Sequence, residues 1–397
     1  MLEFFSGMSG SVNSKRAASE CVDIAFAGEA LEADLVVFHT TMGHVFEDIV
    51  GELRGTFPRA QIVGCTCAGV VGKEGTNETM KGLSLMAVRG PDTEWSVASV
   101  DDIRGFDSFE KSKSMAQQLQ AQASNINMVM FIASGIDIAA DRAIEGIGSV
   151  LGADIPVFGG TSSDNMKAVS TFQFVDGKTF ERGAFMVGFA DPTLRVEMGV
   201  HHGSVPVGAP FEVTKAEANR VYELNGQPAW PALMERLGKE PDTHPGPMIP
   251  IAGIGVPLPD ELQRAYDNPQ ILRVIVKTED DGSFYMPVDV TVGEKFSLTE
   301  RNEDLIFDGL QRMIEDLTRR LDGKTPVAVF HTDCAARGRA LFGRVLKDEI
   351  VQRMQAPVCQ EETVPWLGMY GFGEFTRLAG RNFFHNYTTS LYCIIRD

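Results

Sequence analysis

Short apolar runs alternate with longer amphipathic segments through the first 158 residues of the chain. A run such as Met128–Ala133 (MVMFIA) is typical of a buried strand, whereas Phe109–Gln122 is typical of a helix. The predicted strands are Asp34–His39, Ala60–Cys65, Leu83–Val88, Trp95–Val100, Met128–Ala133 and Ile155–Phe158. The predicted helices are Ser14–Ala33, Val45–Leu53, Phe109–Gln122 and Arg142–Leu151. Strands that alternate with helices of this length predict an α/β sheet covered by helices.

Turn signals separate the strand-like runs in the middle of the chain. The pairs Asp176-Gly177 and Asp281-Gly282 predict hairpins, because Gly tolerates positive φ. The strands that they join are predicted as Val169–Val175 with Ala184–Phe189, and Ile271–Val276 with Ser283–Pro287. Further strands are predicted over Arg195–His201, Pro210–Lys215 and Asn219–Leu224. The Pro- and Gly-rich stretch Pro228–Pro259 predicts an irregular loop.

The last third of the chain contains the clearest amphipathic helix, Asn302–Leu321. Its apolar residues fall on one face, and Asp322-Gly323 supplies a C-terminal stop. The other elements predicted here are the strand Val327–His331, the helix Ala340–Met354 and the strands Trp366–Tyr370 and Asn386–Ile395. The fold class that follows is α/β, with two α/β regions whose mixed sheets are covered by helices and joined by several hairpins.

One short sequence occurs twice, as VVFHT at residues 36–40 and as AVFHT at residues 328–332. Met128–Ser134 begins a third, weaker copy. One interpretation is that any strand–helix–strand unit looks like this. The other is duplication, which places His39 and His331 at equivalent strand ends. Ligands of open α/β sheets gather at such ends.

Charge excludes one class of partner. The 397 residues include 36 Lys and Arg against 54 Asp and Glu, which gives a net charge of −18. Binding to nucleic acid needs cations that neutralise phosphates, so neither DNA nor RNA is expected as a partner. The longest apolar runs are far shorter than a membrane span, and no membrane insertion is expected.

The cysteine content bears on the compartment. Six cysteines are too few for a disulfide scaffold, and the N-terminus lacks the basic and apolar regions of a signal peptide. We therefore expect reduced thiols and a cytoplasmic location.

The densest polar cluster follows the strand Val327–His331. It comprises His331, Thr332, Asp333 and Cys334, with Arg337 and Arg339 around Gly338. The two guanidinium groups could hold a carboxylate or a phosphate. Alternatively, Asp333 caps a helix and the arginines pair with surface carboxylates.

Two further clusters lie near the C-terminus. In Gly368–Glu374 (GMYGFGE) glycines alternate with aromatic residues, so that Gly371 and Gly373 would let a ligand approach the backbone beside Tyr370. The alternative is a β-bulge that packs on its own aromatic residues. His385 and Asn386 form the other cluster, although a His after two Phe is more often a core residue than a ligand.

Catalytic and metal motifs are not apparent. Cys65-Thr66-Cys67 has no second Cys pair to complete a zinc site. Gly177-Lys178-Thr179 and Gly323-Lys324-Thr325 lack the upstream Gly of a P-loop. No nucleophile elbow and no His-Glu-x-x-His sequence occurs. We therefore expect neither a metal site nor an enzyme.

Taken in order, these motifs resemble the FIST sensory module with its N-terminal and C-terminal regions. The N-terminal resemblance comprises Asp34–His39, Gly64-Cys65-Thr66, Ala68-Gly69, Gly159-Gly160, Asp164 and Phe172–Val187. The C-terminal resemblance comprises Glu217–Leu224, Gly226–Ala229, Leu272–Val276, Asp333-Cys334, Arg337, Gly368–Glu374 and His385-Asn386. It covers residues 15–395 and implies a FIST N-terminal-like α/β domain at 1–205 and a FIST C-terminal-like ligand-binding domain at 206–397.

The resemblance implies a small-ligand sensor of bacterial signalling. Amino acids or related metabolites have been proposed as ligands of the family, and a subgroup is reported to bind haem, sense nitric oxide and act on a histidine kinase. No kinase, cyclase or chemoreceptor segment is visible in the sequence. We therefore expect the output to pass through a separate partner protein.

Three hypotheses follow. The first is a non-enzymatic sensor in which Arg337 and Arg339 hold an anionic group, Glu374 holds a cationic one and Tyr370 forms a wall. The loop at 241–259 is the segment expected to move in it. The second is a haem-based gas sensor with His331, His385 or His39 as the iron ligand, and with His201-His202 as a weaker choice. The third is an enzyme with Cys334 as nucleophile beside His331 and Asp333, although neighbouring side chains on a strand diverge.

Overall fold

The computed structural model describes residues 1–244, 246–248, 252–360 and 363–397. Three six-stranded mixed sheets in it share one strand order. In each sheet a central parallel pair is flanked on both sides by antiparallel strands. Each sheet is built around one repeat of the chain, and an antiparallel insert interrupts the third repeat. The predicted α/β class with mixed, helix-covered sheets is therefore confirmed.

The first repeat occupies residues 3–89. Its elements are β1 (Glu3–Ser9), α1 (Ser14–Ala25), β2 (Leu35–Thr41), α2 (Phe46–Thr56), β3 (Gln61–Cys67), β4 (Val70–Gly72), β5 (Gly75–Asn77) and β6 (Leu83–Arg89). The side chain of Asn13 accepts a hydrogen bond from the Arg16 backbone and starts α1. This helix ends at Ala25, well before the predicted Ala33.

The second repeat occupies residues 95–189. Its elements are β7 (Trp95–Val100), α3 (Ser108–Gln122), β8 (Met128–Ala133), α4 (Ala140–Leu151), β9 (Val157–Thr161), β10 (Gln173–Val175), β11 (Lys178–Phe180) and β12 (Ala184–Phe189). Asp176-Gly177 does form a hairpin turn, but it joins β10 to β11. The predicted partner Ala184–Phe189 instead lies between β7 and β8.

The third repeat opens with β13 (Leu194–His201), and the insert follows at once. The elements of the insert are β14 (Ser204–Glu217), β15 (Arg220–Leu224), β16 (Gln227–Pro228), α5 (Ala229–Arg236), β17 (Ala252–Pro257), α6 (Asp260–Tyr266), β18 (Gln270–Arg273), β19 (Lys277–Thr278), β20 (Phe284–Tyr285) and β21 (Lys295–Arg301). The insert begins near the predicted boundary between residues 205 and 206, which stays a prediction of domain organisation.

The stretch Pro228–Pro259 was expected to be an irregular loop, and this prediction is wrong for α5 and β17. Pro231 lies in the first turn of α5, where no backbone N–H is required, while Trp230 and Leu233 are buried. The segment 241–259, expected to move, includes β17; its residues 245 and 249–251 lie outside the described ones. The strand Ile271–Val276 was predicted to pair across the Asp281-Gly282 turn, and this is wrong. In the structure β18 pairs with β17, and the Asp281-Gly282 turn joins β19 to β20.

The third repeat then resumes. Its elements are α7 (Glu303–Leu321), β22 (Ala328–Cys334), α8 (Arg339–Phe342), α9 (Lys347–Ile350), a π-helical turn (Val351–Gln355), α10 (Ala356–Cys359), β23 (Trp366–Gly371), β24 (Gly373–Leu378), β25 (Arg381–His385) and β26 (Thr389–Arg396). The amphipathic helix α7 is confirmed, with Asn302 as its N-cap. The single helix predicted over Ala340–Met354 is wrong, because Gly343 adopts a left-handed conformation after one turn.

The hairpins are exchanged cyclically among the repeats. The β4–β5 hairpin of the first repeat pairs with β23 of the third. The β10–β11 hairpin of the second pairs with β3 of the first, and the β24–β25 hairpin of the third pairs with β9 of the second. Each sheet is thus completed by a neighbouring repeat.

The inner faces of the three sheets form one central apolar core, and helices cover their outer faces. Phe158 of the second sheet packs there against Phe330 and Tyr392 of the third, with ring centroids 5.4 and 5.3 Å away. The insert has a smaller apolar core of its own.

A glycine recurs at one position of each repeat, as Gly64, Gly159 and Gly368. A Cβ atom there would lie 2.6, 2.5 and 2.9 Å from the backbone oxygen of Phe38, Phe131 and His331 respectively. Because Gly64 approaches Phe38 and Gly368 approaches His331, the residue of the first repeat that corresponds to His331 is Phe38 and not His39. The predicted equivalence of His39 and His331 is therefore wrong by one residue, and the two side chains point to opposite faces of their sheets.

Candidate ligand-binding site

The candidate site lies where β22 and β23 end beneath the insert. Asp333 and Arg337 are 4% and 3% exposed, and Arg337 Nε donates to Asp333 Oδ1 at 2.8 Å. Arg337 also donates to the backbone oxygen of His202, where the chain enters the insert. Burial raises the pKa of Asp333 while the charge of Arg337 opposes that shift. The pair therefore links the third repeat to the insert.

Glu374 lies next to this pair on β24 and is fully buried. Its Oε2 atom accepts a hydrogen bond from the Thr388 hydroxyl at 2.7 Å, whereas Oε1 has no hydrogen-bond partner among the described residues. Burial, with a smaller effect from the charge of Asp333, holds the pKa of Glu374 well above its ordinary value. A raised pKa favours the neutral carboxyl, which can donate a hydrogen bond, and the cation-holding role of Glu374 stays a prediction.

His385 faces Glu374 across the β24–β25 hairpin. Its Nδ1 atom lies 3.3 Å from the Tyr266 hydroxyl of the insert, and Nε2 has no partner in the described structure. Burial lowers the pKa of His385, and the charge of Arg273 adds to this effect, so the ring is neutral. Asn386 donates to the Phe372 backbone and accepts from the Val274 backbone, so it ties the insert to the bend after β23.

The predicted glycines serve the packing of the protein itself. A Cβ on Gly373 would lie 2.0 Å from the Phe384 ring, and one on Gly371 would lie 2.6 Å from the Thr161 backbone oxygen. The backbone approach predicted for a ligand is therefore made by neighbouring chain segments. Cys334 is 5% exposed, and burial raises the pKa of its thiol to about 12.

Two predicted residues lie apart from Glu374 and His385. Tyr370 is buried on the outer face of the third sheet, and the Arg339 side chain is exposed. The Arg339 backbone N–H donates to Glu78 at 2.6 Å. Burial raises the pKa of Glu78 to about 7. The sequence gives no signal for Glu78, because only the exchanged β4–β5 hairpin brings it to the third repeat.

The histidines proposed for haem are separate from one another. His39 Nδ1 lies 3.2 Å from the Gly368 backbone oxygen in the central core, and His331 Nε2 lies 3.0 Å from the Thr389 hydroxyl beside Trp366. Burial lowers the pKa of these rings to about 4 and about 3. Together with His385, they are at most 3% exposed. The described residues therefore do not fit haem at these positions.

A cleft of about 590 Å³ opens beside the buried cluster. It lies between α6 of the insert and β13, α7 and the β24–β25 turn of the third repeat. Its lining includes His201 but none of the three histidines above. Tyr266 stands between the cleft and the cluster, since it lines the cleft and also contacts His385 and His202 edge-on. No sequence pattern singles out Tyr266.

Two negative findings concern the described residues alone. Within that part of the chain, no three His, Cys, Asp or Glu side chains are grouped so as to hold a metal ion. No helix found there is long and apolar enough to cross a membrane.

One class of modules associated with sensory signalling and small-ligand binding comprises the FIST domains. The sequence matches the FIST N domain over residues 34–227 and the FIST C domain over residues 230–377. The chain therefore belongs to the FIST family, which confirms the resemblance.

Similar proteins leave the activity open. An uncharacterized protein of Mycobacterium bovis is 28% identical over 251 residues, which are 62% of this chain and 62% of that relative's length. An uncharacterized protein of Mycobacterium tuberculosis is 23% identical over 397 residues, which are 97% of each chain. A cyanuric acid hydrolase from A. caulinodans covers 100% of this chain and 99% of its own, with 8% identity and a TM-score of 0.39. That score is too low to assign a shared fold or an activity.

Proposed function

We propose that this protein is a sensor that binds a small ligand where the insert meets the third repeat, without chemically changing it. The observation that carries the proposal is the pair of orphaned atoms, Glu374 Oε1 and His385 Nε2, in a buried cluster beside a cleft. A buried polar atom without a partner is costly, so a ligand that supplies the missing hydrogen bonds is favoured.

The electrostatics of the cluster support binding over catalysis. Cys334, the proposed nucleophile of the enzyme hypothesis, is a buried thiol whose raised pKa keeps it protonated at neutral pH. His331 Nε2 is directed to Thr389 and the ring is neutral. A reactive thiolate would need an exposed site, and Cys334 is buried.

Signalling requires that the ligand favour one of two conformations. Arg337, Tyr266 and Asn386 all form hydrogen bonds between the insert and the third repeat. We therefore propose that ligand binding changes how the insert packs against the third repeat. A second protein in the cytoplasm would read that change. A histidine kinase is one partner consistent with the family, and co-purification under ligand-free and ligand-bound conditions tests this step.

The haem and nitric oxide alternative has less support, because His39, His331 and His385 are enclosed and do not line the cleft. Its test is inexpensive: expression with excess haem, followed by an absorption spectrum of the folded protein. A Soret band would revive this alternative, and loss of the band in His201→Ala would assign iron ligation to His201, which lines the cleft.

A thermal-shift screen of amino acids and other metabolites tests the main proposal. A ligand at about 100 times its Kd should add about 2.7 kcal/mol to the free energy of unfolding. Glu374→Gln preserves the shape of the side chain but changes its hydrogen-bonding atoms, so it should abolish most of the shift. Glu235→Gln, the same change at an exposed position of α5, is the control. Equal shifts in both variants would place the ligand elsewhere, and turnover of the ligand would overturn the non-enzymatic proposal.

A further inference from the structure

The cleft beside the cluster has a charge opposite to that of the chain as a whole. Four arginines and three acidic residues line it, in a protein whose net charge is −18. Every acidic residue is already engaged. Arg312 pairs with Asp267, and Arg320 pairs with both Glu197 and Asp316. The excess positive charge therefore comes from the other two arginines.

Arg264 and Arg377 form no ion pair within the described part of the chain. Arg377 is half-buried, its Nε is buried without a hydrogen-bond partner, and one of its terminal nitrogens donates to the Gly380 backbone. Arg264 is exposed on α6 and lines the cleft from the insert. A guanidinium cannot shed its charge, so it presents unused donors to whatever occupies the cleft.

The rest of the cleft is apolar in part. Met198, Val200, Met313 and Leu378 contribute to its walls. A volume of about 590 Å³ lies within the usual range of small-ligand pockets. The lining thus combines a cationic site with apolar surface on elements of both the insert and the third repeat.

We propose that this cleft binds a small organic anion with an apolar body, with Arg377 and Arg264 holding the anionic group. The inference rests on the proposed sensor function and names a ligand class for the cleft, which Tyr266 separates from Glu374 and His385. Because Arg264 and Tyr266 both belong to α6, an anion held between Arg264 and Arg377 would fix α6 against the β24–β25 turn. The Tyr266 hydroxyl contacts His385 Nδ1, so fixing α6 would also restrain His385 in the buried cluster.

Isothermal titration of the full chain with three C8 probes tests the proposal. Octanoate should bind, while octanol and octylammonium, which share its apolar body, should bind at least about tenfold more weakly because charge-assisted hydrogen bonds to carboxylate are lost. Inorganic phosphate reports on the cationic site without the apolar wall. Octanoate affinity should fall as salt is raised, since Arg264 is exposed.

Arg377→Gln should weaken octanoate binding by about tenfold or more, and Arg264→Gln by a smaller factor because of its exposure. Arg381→Gln is the matched control, because Arg381 lies on the same hairpin, is exposed and does not line the cleft. Unfolding midpoints of all three variants establish that each is folded.

Two outcomes would overturn the inference: equal affinities for octanoate and octanol, or unchanged octanoate binding in Arg377→Gln. Failure of the sensor proposal is distinguishable from both. If cationic or neutral metabolites shift the unfolding of the wild-type chain in a Glu374-dependent manner and octanoate does not bind, the sensor stands and the anion site is wrong. If octanoate binds but Glu374→Gln binds it equally well, the cleft is a site separate from the cluster.

Discussion

The first and third repeats have the same strand order, but different interactions hold the ends of their parallel strands. With Gly64 and Gly368 aligned, Thr40 of the first repeat corresponds to Asp333 of the third, and His44 corresponds to Arg337. Thr40 is uncharged, and His44 Nδ1 bonds to the Ser14 hydroxyl within its own repeat at 3.1 Å. Asp333 and Arg337 form a buried ion pair that reaches into the insert. The strand end of the first repeat is held by residues of that repeat, whereas the strand end of the third repeat is also held to the insert.

The largest expected effect comes from breaking the charged strand end. Arg337→Met leaves Asp333 buried without its counter-charge and should lower the free energy of unfolding by about 3–5 kcal/mol. Thr40→Ala at the corresponding position of the first repeat removes only a neutral hydroxyl and should lower it by about 1 kcal/mol. Urea denaturation measures both. Similar losses would contradict the contrast between the repeats.

The shared glycines sharpen the alignment of the repeats. Gly64→Ala and Gly368→Ala each force a Cβ within 3 Å of the neighbouring strand and should destabilise the protein by about 1–3 kcal/mol. Gly51 in α2 has open space around its Cβ position. Gly51→Ala should instead stabilise by up to about 1 kcal/mol through helix propensity. A tolerated Gly368→Ala would argue against the alignment.

The exchanged hairpins provide a pH test. Glu374 of β24 corresponds to Gln173 of β10 and Val70 of β4, so only the third-repeat hairpin titrates there. Because the folded-state pKa of Glu374 is raised, its contribution to stability is complete below pH 4.5 and declines as pH rises toward the folded-state pKa.

Denaturant midpoints of the wild type and Glu374→Gln from pH 4 to pH 9 measure this contribution. Relative to the variant, the wild type should lose stability as pH increases. A constant difference across that range would show that the Glu374 carboxyl keeps its ordinary pKa.

The smallest effects concern the helices that cover the sheets. Asn13 and Asn302 cap the corresponding helices α1 and α7 with side-chain hydrogen bonds of 2.9 and 3.1 Å. Each change to Ala should cost about 1 kcal/mol. Asp107 precedes α3 of the second repeat without such a bond, so Asp107→Ala should cost less than either. Thermal unfolding of the three variants measures this order.

Local sequence patterns predicted local structure well and long-range structure poorly. The period of α7, the buried runs of β2 and β8, and the Asp176-Gly177 turn all follow from adjacent residues. The partners of the hairpins do not, because exchange between repeats leaves no trace in local periodicity. For the same reason the sequence does not predict Glu78, and it does not predict Tyr266 because that residue reaches His385 from the insert.

The structure brings some of the predicted site residues together, and their role in binding stays a prediction. Asp333, at the end of β22, and Arg337 do lie close to Glu374, whose strand partner is His385, since parallel strands end at one edge and the exchanged hairpin lies beside them. Their protonation was not predictable, because burial depends on the insert that covers them. Arg339 faces solvent since its backbone, and not its side chain, is held by Glu78.

Cyclic exchange of the hairpins has a consequence for dissecting the molecule. The β4–β5 strands complete a sheet that ends near the C-terminus, and the β24–β25 strands complete one in the middle of the chain. The two FIST domains should therefore not behave as separable units: either half made alone would expose an unpaired strand edge and aggregate. Fragments produced together should recover the native assembly, because each carries the missing strands of the other.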